Sequence, residues 1–410
     1  MGITNIMDSK LQLQVNFDPL KYESQLEAFN EWKRCLGKGT IVAATGSGKT
    51  EIGLMAIREN HSKGRSSIVL VHRDGLKEQW IGQVEGLNCQ VLTKQYVINQ
   101  NSLKTDLLID DELHRSTGDE FVKTHSIISH NYFMGLTATP RTENLNWIKI
   151  ISKYPIIYEK GIQESLDNKF IADFEIYNIA ISLNGADLAL VMKMNEDYNS
   201  IAKIFGGNFG VISNCLKPQN FNLRVSIGKE NNLFEKAVLG KAAMAMGIVG
   251  KRAKFLRNHP GKISVILDLI NSNHDKTIIT YSQNIEPCEE IYSNLDPLKT
   301  CIVHSKRPKK EKGLELFIQD INKTTLCSAQ ALGDGIDIPR LDMGICHSFN
   351  SSDIDFNQML GRVTRNTLDK DKVAKFYVTY CKGTSIYKTQ EESWLEKAQS
   401  KIPKEKIKWV

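Results

Sequence analysis

The sequence predicts an α/β protein with two lobes built on central, mostly parallel sheets, plus a small inserted or linking region. Three observations carry this. Buried-strand runs alternate with helical apolar patterns in the first 160 residues, and the same alternation returns after residue 260. Between them, about 183 to 260, the pattern loosens into Asn-rich, Gly-containing stretches that end in the basic helical segment Met244–Arg257. Polar residues gather where the strand patterns end, which is where open α/β sheets hold ligands. The expected division is 1–160 for the first lobe and 161–410 for the second, with the insertion inside the latter.

In the first lobe, Leu20–Phe29 carries apolar residues at helical spacing, and Ile41-Val42-Ala43 is a short apolar strand pattern. Ile68-Val69-Leu70-Val71 is a continuous buried-strand pattern, followed by the polar His72-Arg73-Asp74-Gly75 and a helix through Leu76 and Trp80. Leu107-Leu108-Ile109 runs into Asp110-Asp111-Glu112-Leu113-His114, and Tyr132–Leu136 into Thr137-Ala138-Thr139-Pro140. In the second lobe, helices are expected around Ile263–Asn271, at Ile285–Asn294 and through Met359. Strands are expected at Thr277–Thr280, Leu326–Ser328, Met343–His347 and Phe376–Thr379. No phosphate loop occurs in this half.

Composition bounds the function without naming it. A chain of 410 residues suits about two or three domains. The net charge of +6 leans only weakly toward a polyanion partner. Eight cysteines without a CxxC pair suggest reduced thiols, with neither a zinc site nor a disulfide framework. The N-terminus lacks an apolar signal core and no run approaches a membrane span, so a soluble, intracellular, cytoplasmic protein is expected.

The chemistry is concentrated in three places. At Ile41–Thr50 an apolar strand ends in a Gly-rich turn, and the helical pattern Ile52, Leu54, Met55, Ile57 follows at once. Glycines let backbone N–H groups turn inward on a polyphosphate, the new helix offers its positive end, Lys49 supplies a point charge and Thr50 a hydroxyl for Mg²⁺. Ala43, Ala44, Thr45, Gly46, Ser47, Gly48, Lys49 and Thr50 are therefore expected to hold a nucleotide, although the strict pattern wants Gly where Ala43 stands. Downstream, Asp111 is a candidate metal-side carboxylate and Glu112 a candidate general base, an acidic solvated turn being the alternative. In the second half, Gln358–Arg365 sets Arg362 and Arg365 three apart on one helical face, where they can straddle a γ-phosphate or simply form a basic helix end.

Taken together, these residues resemble the superfamily 2 helicases. Gln25 fits their adenine-contacting glutamine, Ala43–Thr50 motif I, Val71–Trp80 motif Ia, Asp111–His114 the DExH form of motif II, and Thr137–Thr139 motif III. Ser328 and Gly333–Pro339 look like motif V, and Gln358–Arg365 matches QxxGRxxR motif VI. Departures are His72 where Pro is common, a short interval before Thr93 as motif Ib, and a weak motif IV near Tyr281-Ser282-Gln283. Within that superfamily the compact chain is most similar to phage recombination and branch-migration DNA helicases of the UvsW type. The resemblance implies two RecA-like lobes with a hydrolysis site divided between them. It implies ATP and Mg²⁺ as cofactors, with Lys49, Glu112, Arg362 and Arg365 in catalysis, and Gln25, His114, Gly335, Asp337 and Gln358 at the nucleotide. Thr50 and Asp111 would hold the metal. His72, Arg73, Thr93, Ser282 and Ser328 would contact a nucleic-acid backbone. The expected partner is DNA, forked or branched, bound by a monomer away from any membrane, with RNA as the alternative.

The basic runs Lys251–Arg257 and Lys306–Lys310 can line a phosphate track, with Lys251 and Arg252 foremost, or form solvated faces. Phe205-Gly206-Gly207-Asn208-Phe209 reads either as a plain turn or as a strand-separating hairpin tip. The functions consistent with all this are an ATP-driven DNA helicase, a duplex translocase or RNA helicase, the motor of a restriction complex, and a nucleotide-gated clamp with little turnover.

Overall fold

The computed structural model describes residues 19–142, 144–307, 310–329, 338, 340–348, 353–365, 372–384 and 388–410. They fall into two compact units. Among the described residues, the first holds the chain through Asp173 together with Thr364 and Arg365; the second holds Phe174 to Ala329, Ile338 to Val363 and the chain from Lys372 on.

The first unit is a six-stranded sheet of β1 (Lys38–Ala43), β2 (Ser67–Val71), β3 (Cys89–Thr93), β4 (Leu107–Asp111), β5 (Tyr132–Thr137) and β6 (Ile156–Lys160). Their order is β3-β2-β4-β5-β1-β6 and every pairing is parallel. Both faces are covered, which is why the strands read as unbroken apolar runs rather than alternating ones. Within β2, Val69 and Val71 enter one core with Trp32, Ile57 and Trp80, while Ile68 and Leu70 enter the opposite core with Phe133 and Trp147. The period-two pleat feeds two layers at once.

The second sheet comprises β7 (Asp173–Ser182), β8 (Ile278–Ser282), β9 (Thr300–His304), β10 (Thr325–Ala329), β11 (Met343–Cys346), β12 (Val373–Lys382) and β13 (Ile407–Trp409), in the order β9-β10-β8-β11-β12-β7-β13. The helices Gly261–Ser272 and Ile285–Ser293 bury Ile263, Ile266, Cys288 and Ile291 against Ile278, Cys327 and Ile345. The fold is thus α/β with parallel sheets, as expected. Among the described residues no helix is long and apolar enough to cross a membrane.

The loosened stretch is almost wholly helical. Helices Gly185–Ala202, Phe209–Cys215, Phe221–Glu230 and Glu235–Arg257 enclose their own core of Phe205, Ile212, Val238, Ala242 and Ala245. Arg224, buried, braces it by pairing with Glu235 and donating to the carbonyls of Cys215 (3.0 Å) and Lys217 (2.9 Å). The hairpin-tip reading of Phe205–Phe209 is corrected here. Gly206 and Gly207 (φ 62° and 71°) end a 3₁₀ turn, and Asn208 caps the next helix by accepting from Gly210 and Val211 N–H, so the segment joins two helices.

Candidate nucleotide and nucleic-acid site

Because all strands of the first sheet run parallel, the loop after β1, the residues after β2, and the ends of β3, β4 and β5 share one edge. Register sharpens the placement: Val42 is aligned with Thr137, and Leu136 with Asp111.

The loop itself is tightly determined. Gly46 and Gly48 adopt φ 89° and 87°, a conformation that side chains oppose. Ser47 Oγ donates to Ala44 O (2.7 Å), and Gln25 Nε2 donates to Ser47 O (3.3 Å). Lys49 opens the helix Lys49–Ser62 and folds its ammonium back over the loop, reaching Ala43 O at 3.1 Å and Ala44 O at 3.4 Å. A Gly-bounded turn at a helix start, with a lysine laid over it, fits a polyphosphate.

At the end of β4 stand two neighbouring carboxylates with different duties. Asp110, fully buried, accepts from Ser116 Oγ (2.6 Å) and pairs with His125 Nε2 (2.6 Å) and Lys94 Nζ (2.8 Å). Burial works to raise its carboxyl, and Lys94 and His125 overcome that, holding it well below the usual range. Asp111 Oδ2 accepts from Trp80 Nε1 at 2.8 Å. Burial and the adjacent Glu112 push Asp111 up to about 6, against the Trp80 hydrogen bond and the charges of Lys49 and Lys94. Glu112 turns left-handed (φ 52°). His114, fully buried, pairs through Nδ1 with Thr137 Oγ1 (3.0 Å), Thr139 Oγ1 (3.3 Å) and Glu112 Oε2 (3.3 Å), so the ends of β4 and β5 are tied.

No group of three His, Cys, Asp or Glu able to hold a metal occurs among the described residues. Mg²⁺ fits Thr50 and Asp111 only as a partner of phosphate oxygens, its usual habit.

The other expected residues are placed as follows. Arg73 is exposed, its Nε donating to His72 Nε2 (2.9 Å). Thr93 ends β3 and caps the short helix Lys94–Val97 by accepting from Tyr96 N–H. Ser282 and Ser328 are buried at or near the ends of β8 and β10. Lys251 is exposed, whereas Arg252 turns inward, donating to Asn195 Oδ1 (2.8 Å) and Gln390 Oε1 (3.3 Å), so the helix shows solvent Lys251 and Lys254 instead. Arg307, in the second basic run, forks onto Glu289 at 3.0 and 2.6 Å. Gln358 and Arg362 lie four apart on the helix Asp353–Val363. The expectation that Arg362 and Arg365 share a helical face is corrected: the helix stops at Val363, Thr364 O accepts Ala172 N–H, and Arg365 bridges Ile171 in extended conformation. Gly335 and Asp337 lie outside the described residues.

Trp80 and Lys94 contact the candidate residues Asp111 and Glu112, Asp110 pairs with Lys94, and none of the three was anticipated. An aspartate inside a buried strand pattern signals a buried partner. Nothing local marks Lys94 as that partner.

Residues 261–367 match the helicase conserved C-terminal domain, and residues 20–104 the type III restriction enzyme res subunit. The two domains are those of an ATP-hydrolysing superfamily 2 helicase. A DNA 3'-5' translocase, XPB2 of Sulfurisphaera tokodaii, is 24% identical over 389 residues, covering 89% of this chain and 82% of that one. Among solved structures the fold resembles yeast (S. cerevisiae) Dbp5 bound to RNA and ADP BeF3, with TM-score 0.59, 12% identity, and coverage of 96% and 94%. It also resembles the Pyrococcus furiosus Hef helicase domain, with TM-score 0.51, 16% identity, and coverage of 91% and 97%. The restriction-modification enzyme LlaBIII bound to DNA gives TM-score 0.58 at 15% identity, and 96% of this chain spans only 31% of its length. These likenesses establish two RecA-like lobes.

Proposed function

We propose that the chain is an ATP-dependent DNA translocase or helicase. The observation that carries this is the loop at residues 43–50, closed over by Lys49 and set on the same sheet edge as Asp111 and Glu112. In this reading Gln25 and the loop backbone hold the nucleotide, Thr50 and Asp111 hold Mg²⁺, and Glu112 takes the proton of the attacking water. Mg²⁺, when bound, neutralises charge on the phosphate oxygens. His114 keeps the backbone after Glu112 tied to Thr137 and Thr139. Arg362 and Arg365 are assigned to the charge that develops on the phosphoryl group, with Gln358 beside Arg362. His72, Arg73, Thr93, Ser282, Ser328 and Lys251 are assigned to the polynucleotide backbone.

The XPB2 similarity supports DNA as the track. The finer reading is forked or four-way DNA processed as by UvsW-type phage helicases, resting on motif order and the DExH pattern. The match of residues 20–104 to a restriction-enzyme subunit favours a second reading, the motor of a larger restriction assembly.

ATP hydrolysis measured with single-stranded, duplex, forked and four-way DNA and with RNA tests the proposal. Stimulation by DNA, abolished in Lys49→Ala and Arg362→Ala, is expected. Retention of stimulated hydrolysis by either variant would overturn the site assignment, and stimulation by RNA alone would overturn the DNA reading.

A further inference from the structure

We propose that Lys94 is a positioning residue for ATP hydrolysis, setting the backbone from which Asp111 and Glu112 present their carboxylates. Lys94 is wholly buried, and a buried ammonium must satisfy three N–H donors. It meets three oxygens: Asp110 Oδ1 at 2.8 Å, Glu112 O at 3.2 Å and Asp111 O at 3.4 Å. Two of the three are main-chain carbonyls of the carboxylate pair itself. Between them the chain takes the left-handed turn at Glu112 (φ 52°), a conformation that persists only where surroundings impose it. Ion pairing with Asp110 accounts for one of the three contacts and leaves those to the Asp111 and Glu112 carbonyls, while the other Asp110 oxygen is taken by Ser116 and His125, each at 2.6 Å. Trp80 restrains the same turn from the side-chain end through its bond to Asp111 Oδ2. Lys94 follows Thr93 at the end of β3, two strands from β4, so it ties the outermost strand of the sheet to the carboxylate pair.

The inference rests on the hydrolytic role proposed above for Asp111 and Glu112. A purely structural Lys94 serves only as the counter-ion of Asp110, and removing both charges together restores such a role. The test is steady-state ATP hydrolysis at saturating DNA, with fluorescent-nucleotide binding and thermal unfolding, on Lys94→Met, the double variant Lys94→Met/Asp110→Asn, and Trp80→Phe. Loss of positioning is expected to lower kcat about 10- to 100-fold while KM for ATP stays within about threefold. The double variant is expected to regain thermal stability and keep the low kcat, and Trp80→Phe to show a smaller fall in kcat alone. A double variant with wild-type kcat overturns the inference, as does a Lys94→Met defect confined to KM. If Lys94→Met does not fold, the double variant decides. A wild-type chain that hydrolyses no ATP with any polynucleotide overturns the proposed function, and this inference falls with it; wild-type hydrolysis beside an unimpaired double variant overturns the inference alone.

Discussion

Gly48 meets two constraints that oppose any side chain at its position. Its φ of 87° costs an L-residue about 1–2 kcal/mol, and a Cβ would run into the Gln25 amide. Gly48→Ala is therefore expected to weaken fluorescent-nucleotide binding about tenfold or more while leaving the thermal midpoint within a few degrees, because the strain is local. His347 supplies a pH prediction. Burial, aided by Lys262, lowers its pKa from 6.5 to about 3. The unfolded chain takes up a proton below 6.5 that the native imidazole refuses, so stability is full above 6.5 and falls as pH drops toward 3. By linkage the loss is on the order of a few kcal/mol. Urea unfolding at pH 7 and pH 5 should show it, and His347→Gln should flatten the difference. At this scale the turn at Gly46–Gly48 and the acidic end of the strand Leu107–Asp111 were legible in the sequence, because each is set by neighbours within a few positions. Lys94 and Trp80 were not, since their partners lie 16 to 31 positions away.

Among elements, the central strands with unbroken apolar runs were the most legible, whereas Ile156–Lys160, Asp173–Ser182, Thr300–His304 and Ile407–Trp409 were not announced. Ser67–Val71, Leu107–Asp111, Tyr132–Thr137 and Ile278–Ser282 each lie within a residue or two of the run that announced them. The helical insertion was the least. Its core-facing residues are spread over four helices whose joins carry Gly206-Gly207, Pro218 and Asn231-Asn232, so periodicity is interrupted before it accumulates. Phe205 is 3% exposed within that core. Phe205→Ala is expected to cost about 3–5 kcal/mol. Hydrogen exchange should rise across residues 185–257 and stay unchanged in β1–β6, because the insertion carries its own apolar cluster. The helix ending at Val363 is a similar lesson: QxxGRxxR looks like one amphipathic face, and a backbone bond from Ala172 to Thr364 ends it before Arg365.

For the molecule as a whole, charge is unevenly held. Residues 185–257 contain eleven Lys and Arg against five Asp and Glu, an excess equal to the +6 of the entire chain. Of these, Arg224 and Arg252 are engaged internally, while Lys251 and Lys254 face solvent. DNA binding, if carried by this surface, should weaken at least about tenfold between 50 and 200 mM salt. Lys251→Ala/Lys254→Ala should reduce the slope of log K against log[salt] by about two. An unchanged slope would remove the insertion from the contact surface.

The sequence by itself determined the α/β alternation, the glycine-rich turn at the start of the Lys49 helix, the acidic strand end after Ile109 and the presence of a motif VI pattern. Each is written in contiguous residues, through a strand run, a turn chemistry or a fixed spacing. Tertiary structure alone decided which charges face inward. It buried Lys94 against Asp110 and the Glu112 carbonyl, gave Asp111 its Trp80 partner, turned Arg252 away from solvent and separated Arg365 from the helix of Arg362. A long cationic side chain reads the same in sequence whether it meets water or a buried carboxylate, and only packing between distant strands and helices supplies the difference.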